Sequence, residues 1–204
     1  CLDKHKLIEK QAVHMALLER AILVNLSTPD PGRLPCTFVT NLHFSFADTH
    51  FLYLVMDLAL GGTLKYQMRG HPHGYPEEHA RFYAAQIFLG LAHLHSKCIL
   101  YRDCKLDNIL LKVRPAPGGR PRVARRRRAW RGSHLGAWRV LQADGFIMLS
   151  DFGASEKFAE RNGRTSGRTG TRSYMPPEAL SGGNYGLEFD WYSFGVTVFE
   201  MLAG

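Results

Sequence analysis

The sequence lacks several features that would assign its class directly. It has no run of about 18 apolar residues, so no membrane-spanning helix is expected. No charged, apolar and small-residue succession typical of a secretory signal opens the chain. Only four cysteines occur in 204 residues, and none form a Cys-x-x-Cys pair, so neither a zinc site nor a disulfide framework is indicated. We therefore expect free thiols and a cytoplasmic protein.

Acidic residues are missing from one segment, 112–139. It contains one Lys and nine Arg and contributes +10 to a net charge of +8, so the rest of the chain carries −2. Its Pro- and Gly-rich composition cannot bury a core and predicts a disordered basic insert. One interpretation is a nuclear-localisation or nucleic-acid-binding patch, since Arg neutralises phosphates and Trp stacks on bases. The alternatives are a plain surface insert or translated intron sequence.

Apolar periodicity predicts strands early in the chain and helices later. Helical spacing runs over 7–23, and two strands are predicted over 37–46 and 51–57. The second strand is continuously apolar, as expected when both faces are buried. Further helices are predicted over 77–96 and 191–202, and short strands over 109–111 and 146–149, the latter after an Asp144-Gly145 turn. This order predicts an α+β fold with two lobes and a cleft.

The loop 101–108, Tyr-Arg-Asp-Cys-Lys-Leu-Asp-Asn, carries the strongest chemical signal. Phosphoryl transfer needs a carboxylate near the attacking hydroxyl, a cation near the transferred phosphate and an amide oxygen on a metal. Asp103, Lys105 and Asn108 supply these three groups on one short loop. A polar surface loop is the alternative for this motif taken alone.

Three further motifs follow in chain order. Ser150-Asp151-Phe152-Gly153 comes after a short apolar strand, and Mg²⁺ accepts one or two carboxylate or amide ligands from a protein. The segment 170–178 reads Gly-Thr-Arg-Ser-Tyr-Met-Pro-Pro-Glu, and 190–196 reads Asp-Trp-Tyr-Ser-Phe-Gly-Val. Each motif is weak by itself, but together they have the order of the protein-kinase signature set.

On these motifs the chain resembles a eukaryotic protein kinase and is similar to the AGC group. Stretches 42–46 and 78–87 resemble cyclic-AMP-dependent protein kinase, and 1–4 with 19–20 resemble the G-protein-coupled receptor kinases. Stretches 57–62 and 64–66 also look like the YANK kinases. The resemblance implies a two-lobed protein-kinase-like fold, with a partial N-lobe sheet and helix C over 1–57. A mainly helical C-lobe would follow over 58–204, ending at helix F.

The resemblance also implies roles at matching positions. Asp103 would be the catalytic base or hydroxyl orienter, and Lys105 would steady the γ-phosphate of ATP. Thr171 would brace both side chains. Asn108 and Asp151 would hold Mg²⁺. Lys105 and Thr171 are features of kinases that phosphorylate Ser or Thr in protein substrates.

A nucleotide site is implied at the other side of the cleft. Glu19, on the first helix, would pair with an ATP-binding Lys. Met56 would be the gatekeeper, and Asp57, Leu58 and Ala59 would form a hinge whose backbone meets adenine. The family's glycine-rich loop is absent, and by family spacing the Lys would stand immediately before Cys1. We therefore expect a domain truncated at both ends and inactive by itself.

Structural supports are implied as well. A regulatory spine would join the lobes through four apolar residues, namely Leu23, Leu42, Tyr101 and Phe152. Ordinary core packing is compatible with the same four, because a spine is itself core. Asp190 would anchor the catalytic loop.

Substrate selection is less clearly indicated. Thr63 replaces an acidic residue that often touches ribose and basic substrates in the family, which weakens any expectation of Arg-directed specificity. Asp107 remains as a contact for a basic residue. Three hypotheses follow: an active Ser/Thr kinase, a pseudokinase scaffold, and a basic nucleic-acid-binding module acting through 112–139. The oligomeric state is not indicated.

Overall fold

The computed structural model describes residues 1–28, 36–112 and 145–204, and these residues form a mixed α+β structure, as predicted. The strands are β1 (Leu2–Asp3), β2 (Leu42–Ala47), β3 (Phe51–Met56), β4 (Ile99–Leu100), β5 (Ile109–Leu111), β6 (Ile147–Leu149) and β7 (Glu156–Lys157). The helices are α1 (Lys4–Glu9), α2 (Val13–Ser27), α3 (Leu64–Met68), α4 (Glu77–Ser96), α5 (Pro177–Leu180) and α6 (Glu188–Ala203). Two 3-10 turns span Leu106–Asn108 and Arg172–Tyr174.

The first helical segment is interrupted, so the prediction of one helix over 7–23 is wrong. The α1 helix is capped by Asp3, whose carboxylate accepts a hydrogen bond from the N–H of Lys6 at 3.2 Å. Gln11 then adopts φ = 53°, in the left-handed region that a right-handed helix cannot contain. The α2 helix begins afterwards and packs against β2.

The small sheet has the order β1-β3-β2 and is antiparallel throughout. The predicted strand over 37–46 is wrong in its first half, because residues before Leu42 pair elsewhere: Thr40 donates its N–H and its hydroxyl to the carbonyl of Leu149. The expected two-sided burial of β3 is also wrong, since Val55 and Met56 are each 41% exposed. Successive side chains of a strand point to opposite faces, so both faces of β3 are partly open to solvent at this end, whereas the apolar run suggested a strand covered on both faces.

The main core lies around α4, which spans the predicted residues and carries Glu77 and Glu78 in its first turn. Its buried face packs against β4, β6 and α6. The α6 helix begins at Glu188, three residues before its predicted start. The antiparallel pair β5–β6 forms as predicted, although β6 begins at Ile147. Within the described ranges no helix is both long enough and apolar enough to cross a bilayer.

Two predictions lie outside the described residues. The basic insert is described only at Lys112, and residues 113–139 are not described. The predicted Asp144-Gly145 turn is described only at Gly145, which has φ = 59°. Both therefore stay predictions.

Candidate active site

The loop 101–108 lies between two short strands and is held without regular structure of its own. The β4 strand precedes it, and β5 begins directly after Asn108. Arg102 adopts φ = 66°, a strained conformation for a residue with a side chain. Its guanidinium Nε donates to the carbonyl of Ala154 at 2.6 Å, and Nη1 lies 2.7 Å from the Glu156 carboxylate. These contacts join the loop to the segment after Asp151.

The Asp103 carboxylate is the centre of the site and is 8% exposed. Its Oδ1 accepts hydrogen bonds from the N–H and the hydroxyl of Thr171, at 3.0 and 2.6 Å. Its Oδ2 accepts one from Nδ2 of Asn108 at 2.7 Å and lies 2.7 Å from Nζ of Lys105. Lys105 Nζ also donates to the Thr171 hydroxyl at 2.7 Å. The structure therefore brings the predicted Asp103, Lys105, Asn108 and Thr171 together.

Gly170 allows the segment carrying Thr171 to reach the loop. Its φ is 106°, and a Cβ added there would stand 2.2 Å from the carbonyl oxygen of Arg102. No side chain fits that space, and L-residues rarely adopt this conformation. Glycine at this position therefore determines how closely Thr171 approaches Asp103.

Asp190 is fully buried and holds the N-terminal end of the loop 101–108 in place. Its Oδ2 accepts from the N–H of Tyr101 at 2.9 Å, and its Oδ1 accepts from the N–H of Arg102 at 2.8 Å. His95 Nε2 lies 2.8 Å from Oδ2. A buried carboxylate is tolerated only with such partners, so these contacts explain how Asp190 can be fully buried.

The β5–β6 pair brings Asp151 beside Asn108. Ser150, which precedes Asp151, donates its N–H and its hydroxyl to the carbonyl of Asn108 at 3.0 and 2.9 Å. Asp151 is exposed, adopts φ = 59° and accepts from the N–H of Gly153 at 3.2 Å. Because Nδ2 of Asn108 is committed to Asp103, its Oδ1 is the atom left for a ligand. An amide oxygen and a carboxylate on adjacent loops fit the donor chemistry of Mg²⁺.

Glu19 lies on α2, partly buried and within electrostatic range of Asp151. Burial raises the pKa of Glu19, and the negative charge of Asp151 raises it further. A carboxylate whose pKa is raised by burial and by a neighbouring negative charge is stabilised in its ionised form by a nearby cation. The role of Glu19 in pairing with a lysine stays a prediction.

The predicted hinge follows β3. The N–H of Asp57 donates to the carbonyl of Asn41 at 3.1 Å, so this N–H is already hydrogen-bonded within the protein. Burial by itself raises the pKa of Asp57, but hydrogen bonds from Asn41 and His43 outweigh it, and the pKa is lowered. Met56 is 41% and Leu58 76% exposed. Met56 and Leu58 are therefore accessible to solvent, whereas Ala59 is partly buried.

The four predicted spine residues share one apolar cluster. Leu23, Tyr101 and Phe152 are buried within it, and Leu42 packs against it. The rings of Tyr101 and Phe152 lie 5.6 Å apart. The cluster joins α2 to both loops of the site.

Sequence reasoning missed several polar residues around the site. His95 falls within the predicted helix 77–96, and Ser193 and Thr197 fall within the predicted helix 191–202, without any role assigned to them. All three are buried and hydrogen-bonded. The signal that could have found the latter two is their spacing from Asp190, three and seven residues along one helix face. Glu200, whose carboxylate contacts Lys65 and Tyr174, was also missed.

Comparisons with known proteins agree with this geometry. The protein kinase domain family matches residues 3–204. Protein kinase C zeta type from Oryctolagus cuniculus is 38% identical over 167 residues, 82% of this chain and 23% of that protein. G protein-coupled receptor kinase 2 from Drosophila melanogaster is 33% identical over 206 residues, 100% of this chain and 23% of that protein.

A plant protein gives a similar match. Serine/threonine-protein kinase AtPK2/AtPK19 from Arabidopsis thaliana is 33% identical over 203 residues, 100% of this chain and 35% of that protein. The chain thus spans between 23% and 35% of the length of these three relatives. With a family match over nearly its whole length, the chain belongs to the protein kinase domain family, as an AGC-type eukaryotic protein kinase.

Proposed function

We propose that the protein transfers the γ-phosphoryl group of ATP to Ser or Thr hydroxyls of protein substrates, with Mg²⁺ as cofactor. The supporting observation is the arrangement around Asp103, where three side chains and one backbone N–H hold a single carboxylate. A carboxylate fixed in this way cannot rotate away from an incoming hydroxyl. Orientation of this kind accounts for much of the catalysis in phosphoryl transfer.

Each residue has a distinct task in the proposed reaction. Both oxygens of the Asp103 carboxylate are held, Oδ1 by Thr171 and Oδ2 by Asn108 and Lys105, and this fixed carboxylate receives the acceptor hydroxyl. That hydroxyl oxygen forms a bond to the γ-phosphorus while the bond to the β,γ-bridging oxygen breaks, and ADP leaves. The hydroxyl proton passes to Asp103. Lys105 stabilises the negative charge on the transferred group.

Asn108 and Asp151 would hold the metal ion. When bound there, Mg²⁺ would supply positive charge that offsets the negative charge of the phosphates. Asn108 contributes Oδ1, because its Nδ2 is engaged by Asp103, and Asp151 contributes a carboxylate oxygen. Asn108 therefore couples the base to the metal site through the two ends of one amide.

The proposal is tested with Asp103→Asn in the intact protein. We expect the rate of phosphate transfer from ATP to a Ser/Thr peptide to fall by roughly 10²–10⁴-fold, as on loss of a general base. Glu160→Gln, at an exposed position outside the site, is the matched control and should leave the rate unchanged. Wild-type-like transfer by Asp103→Asn would refute the proposed role.

The two alternatives give different results. A pseudokinase scaffold predicts no phosphate transfer by the wild-type protein under any metal or peptide condition. A nucleic-acid-binding module predicts that deletion of 112–139 abolishes function. The proposed kinase predicts that this deletion retains most of the phosphotransfer, because none of the residues assigned to the site lies in that segment.

A further inference from the structure

An ion pair that takes no part in the proposed reaction lies close to the site. Lys65 on α3 donates through Nζ to Oε1 of Glu200 on α6. The Tyr174 hydroxyl donates to Oε2 of the same carboxylate. The Glu200 side chain is 17% exposed, whereas that of Lys65 is 48% exposed. The carboxylate is therefore fixed, and the cation is its solvent-facing partner.

Two contacts of α6 and its side chains connect Glu200 to the segments that adjoin Thr171 and Asp103. Tyr174 ends the 3-10 turn that begins directly after Thr171. Thr197, about one helical turn before Glu200, donates to the carbonyl of Cys104 at 3.0 Å, and Cys104 adjoins Asp103. A peptide whose hydroxyl reaches Asp103 has neighbouring residues close to this surface.

Asp107 is a second carboxylate near Tyr174. Burial makes the largest contribution to the raised pKa of the Tyr174 hydroxyl, the hydrogen bond and the charge of Glu200 raise this pKa further, and the negative charge of Asp107 adds to the effect. Asp107 is exposed and makes no ion pair with any residue that the structure describes. The α3 helix, which carries Lys65, contacts the turn containing Asp107. Asp107 and Glu200 would together form an acidic surface if Lys65 were absent.

We propose that Lys65 is a specificity-determining residue that occupies the Glu200 carboxylate and so lowers the preference for a basic substrate residue at this subsite. The inference rests on the proposed function. A neighbouring carboxylate without its own cation would attract Arg or Lys of a substrate, and electrostatic complementarity of this kind selects partners. With Glu200 neutralised from within the chain, Asp107 is the carboxylate left to contact a basic residue.

The geometry favours a selective role over a purely structural one. An ion pair in which one partner is about half exposed adds little stability. Glu200 also retains the Tyr174 hydroxyl as a buried-side donor when Lys65 is removed. Loss of the Lys65 charge therefore leaves an ordered carboxylate available to a ligand.

The experiment measures a peptide panel with the intact protein. Each peptide carries one acceptor Ser in an alanine-rich background, with a single Arg moved through the flanking positions. We expect Lys65→Gln to raise kcat/KM for the peptide with Arg at one position, relative to the all-Ala parent peptide, by roughly three- to tenfold, as for an exposed charge pair. This gain should be smaller at high salt. The Lys65→Gln/Glu200→Gln double variant should lose this gain. Lys10→Gln, at an exposed lysine on the N-terminal side of α2, should match wild type throughout.

A binding measurement separates the inference from the proposed function. Fluorescence anisotropy with the same peptides, carrying Ala in place of the acceptor Ser, reports affinity without any transfer. Absence of transfer by wild type together with an Arg-specific affinity gain in Lys65→Gln would refute the proposed function and retain the inference. If wild type transfers phosphate and the dependence on the Arg position is the same in Lys65→Gln, Lys10→Gln and wild type, the inference is overturned and the proposed function is retained.

Discussion

Replacing the buried Asp190 should strongly destabilise the protein. Asp190→Ala removes the acceptor for two backbone N–H groups, those of Tyr101 and Arg102, and the partner of His95. Asp190 is 0% exposed, so water does not take the place of its carboxylate beside these three groups. Each buried donor left unpaired costs about 1–3 kcal/mol, and we expect a total loss of roughly 4 kcal/mol or more. Asp190→Asn keeps one acceptor oxygen and should lose about half as much.

Thermal unfolding of the intact protein is the assay. For a domain of this size class, each kcal/mol shifts Tm by about 2–4 °C, so Asp190→Ala should lower Tm by roughly 8–16 °C. Glu160→Ala, which removes an exposed carboxylate, is the control and should melt with wild type. A decrease of less than about 3 °C for Asp190→Ala would show that the three donors find other partners, and the burial argument would be wrong.

Three further predictions concern other parts of the domain. Gly170→Ala should reduce phosphotransfer strongly, because its Cβ would stand 2.2 Å from the carbonyl oxygen of Arg102. Gly167→Ala is the control, since Gly167 also has a positive φ but a Cβ there would meet nothing within 4 Å. A kinetic assay of the two variants therefore separates the effect of the clash from that of backbone strain. The lowered pKa of Asp57 means that its ionised form stabilises the fold, so this contribution is complete above the ordinary carboxylate pKa of about 4 and is lost as pH falls through the lower folded value. Acid titration of stability should therefore be flatter in Asp57→Asn, and identical curves would count against the contacts. Cys104 is fully buried, and burial raises the pKa of its thiol, so iodoacetamide should modify exposed Cys1 in the native protein and reach Cys104 only after unfolding.

Some elements could be predicted from the sequence because local and tertiary preferences agree. The α4 helix has acidic residues in its first turn and an apolar face that meets the core, and its predicted bounds are those observed. The β5 strand is a short apolar run between polar loops, and burial of Ile109 and Leu111 selects the same residues. In both cases no distant partner was needed to choose the conformation.

Other elements depended on partners that are remote in sequence. Thr40 has a strand-like neighbourhood, but its hydrogen bonds go to Leu149, more than a hundred residues away. Apolar spacing continues across Gln11, so periodicity could not reveal the left-handed residue that divides α1 from α2. The residue types of the site could be predicted from the motifs, whereas the Lys65–Glu200 contact joins two helices 135 residues apart and has no local signal.

The α6 helix shows why the loop 101–108 can be irregular and still be well held. Asp190, Ser193 and Thr197 recur along one face of a largely apolar helix, and each is 0% exposed. Each of the three forms a hydrogen bond with backbone outside the helix. Asp190 accepts from two N–H groups of the loop 101–108, Ser193 donates to the carbonyl of Tyr174 at 2.8 Å, and Thr197 donates to the carbonyl of Cys104. A buried loop cannot leave its backbone groups unpaired, and strands of two or three residues cannot satisfy them. The polar face of α6 supplies those partners, so the position of Asp103 depends on a helix whose own side chains never touch the Asp103 carboxylate.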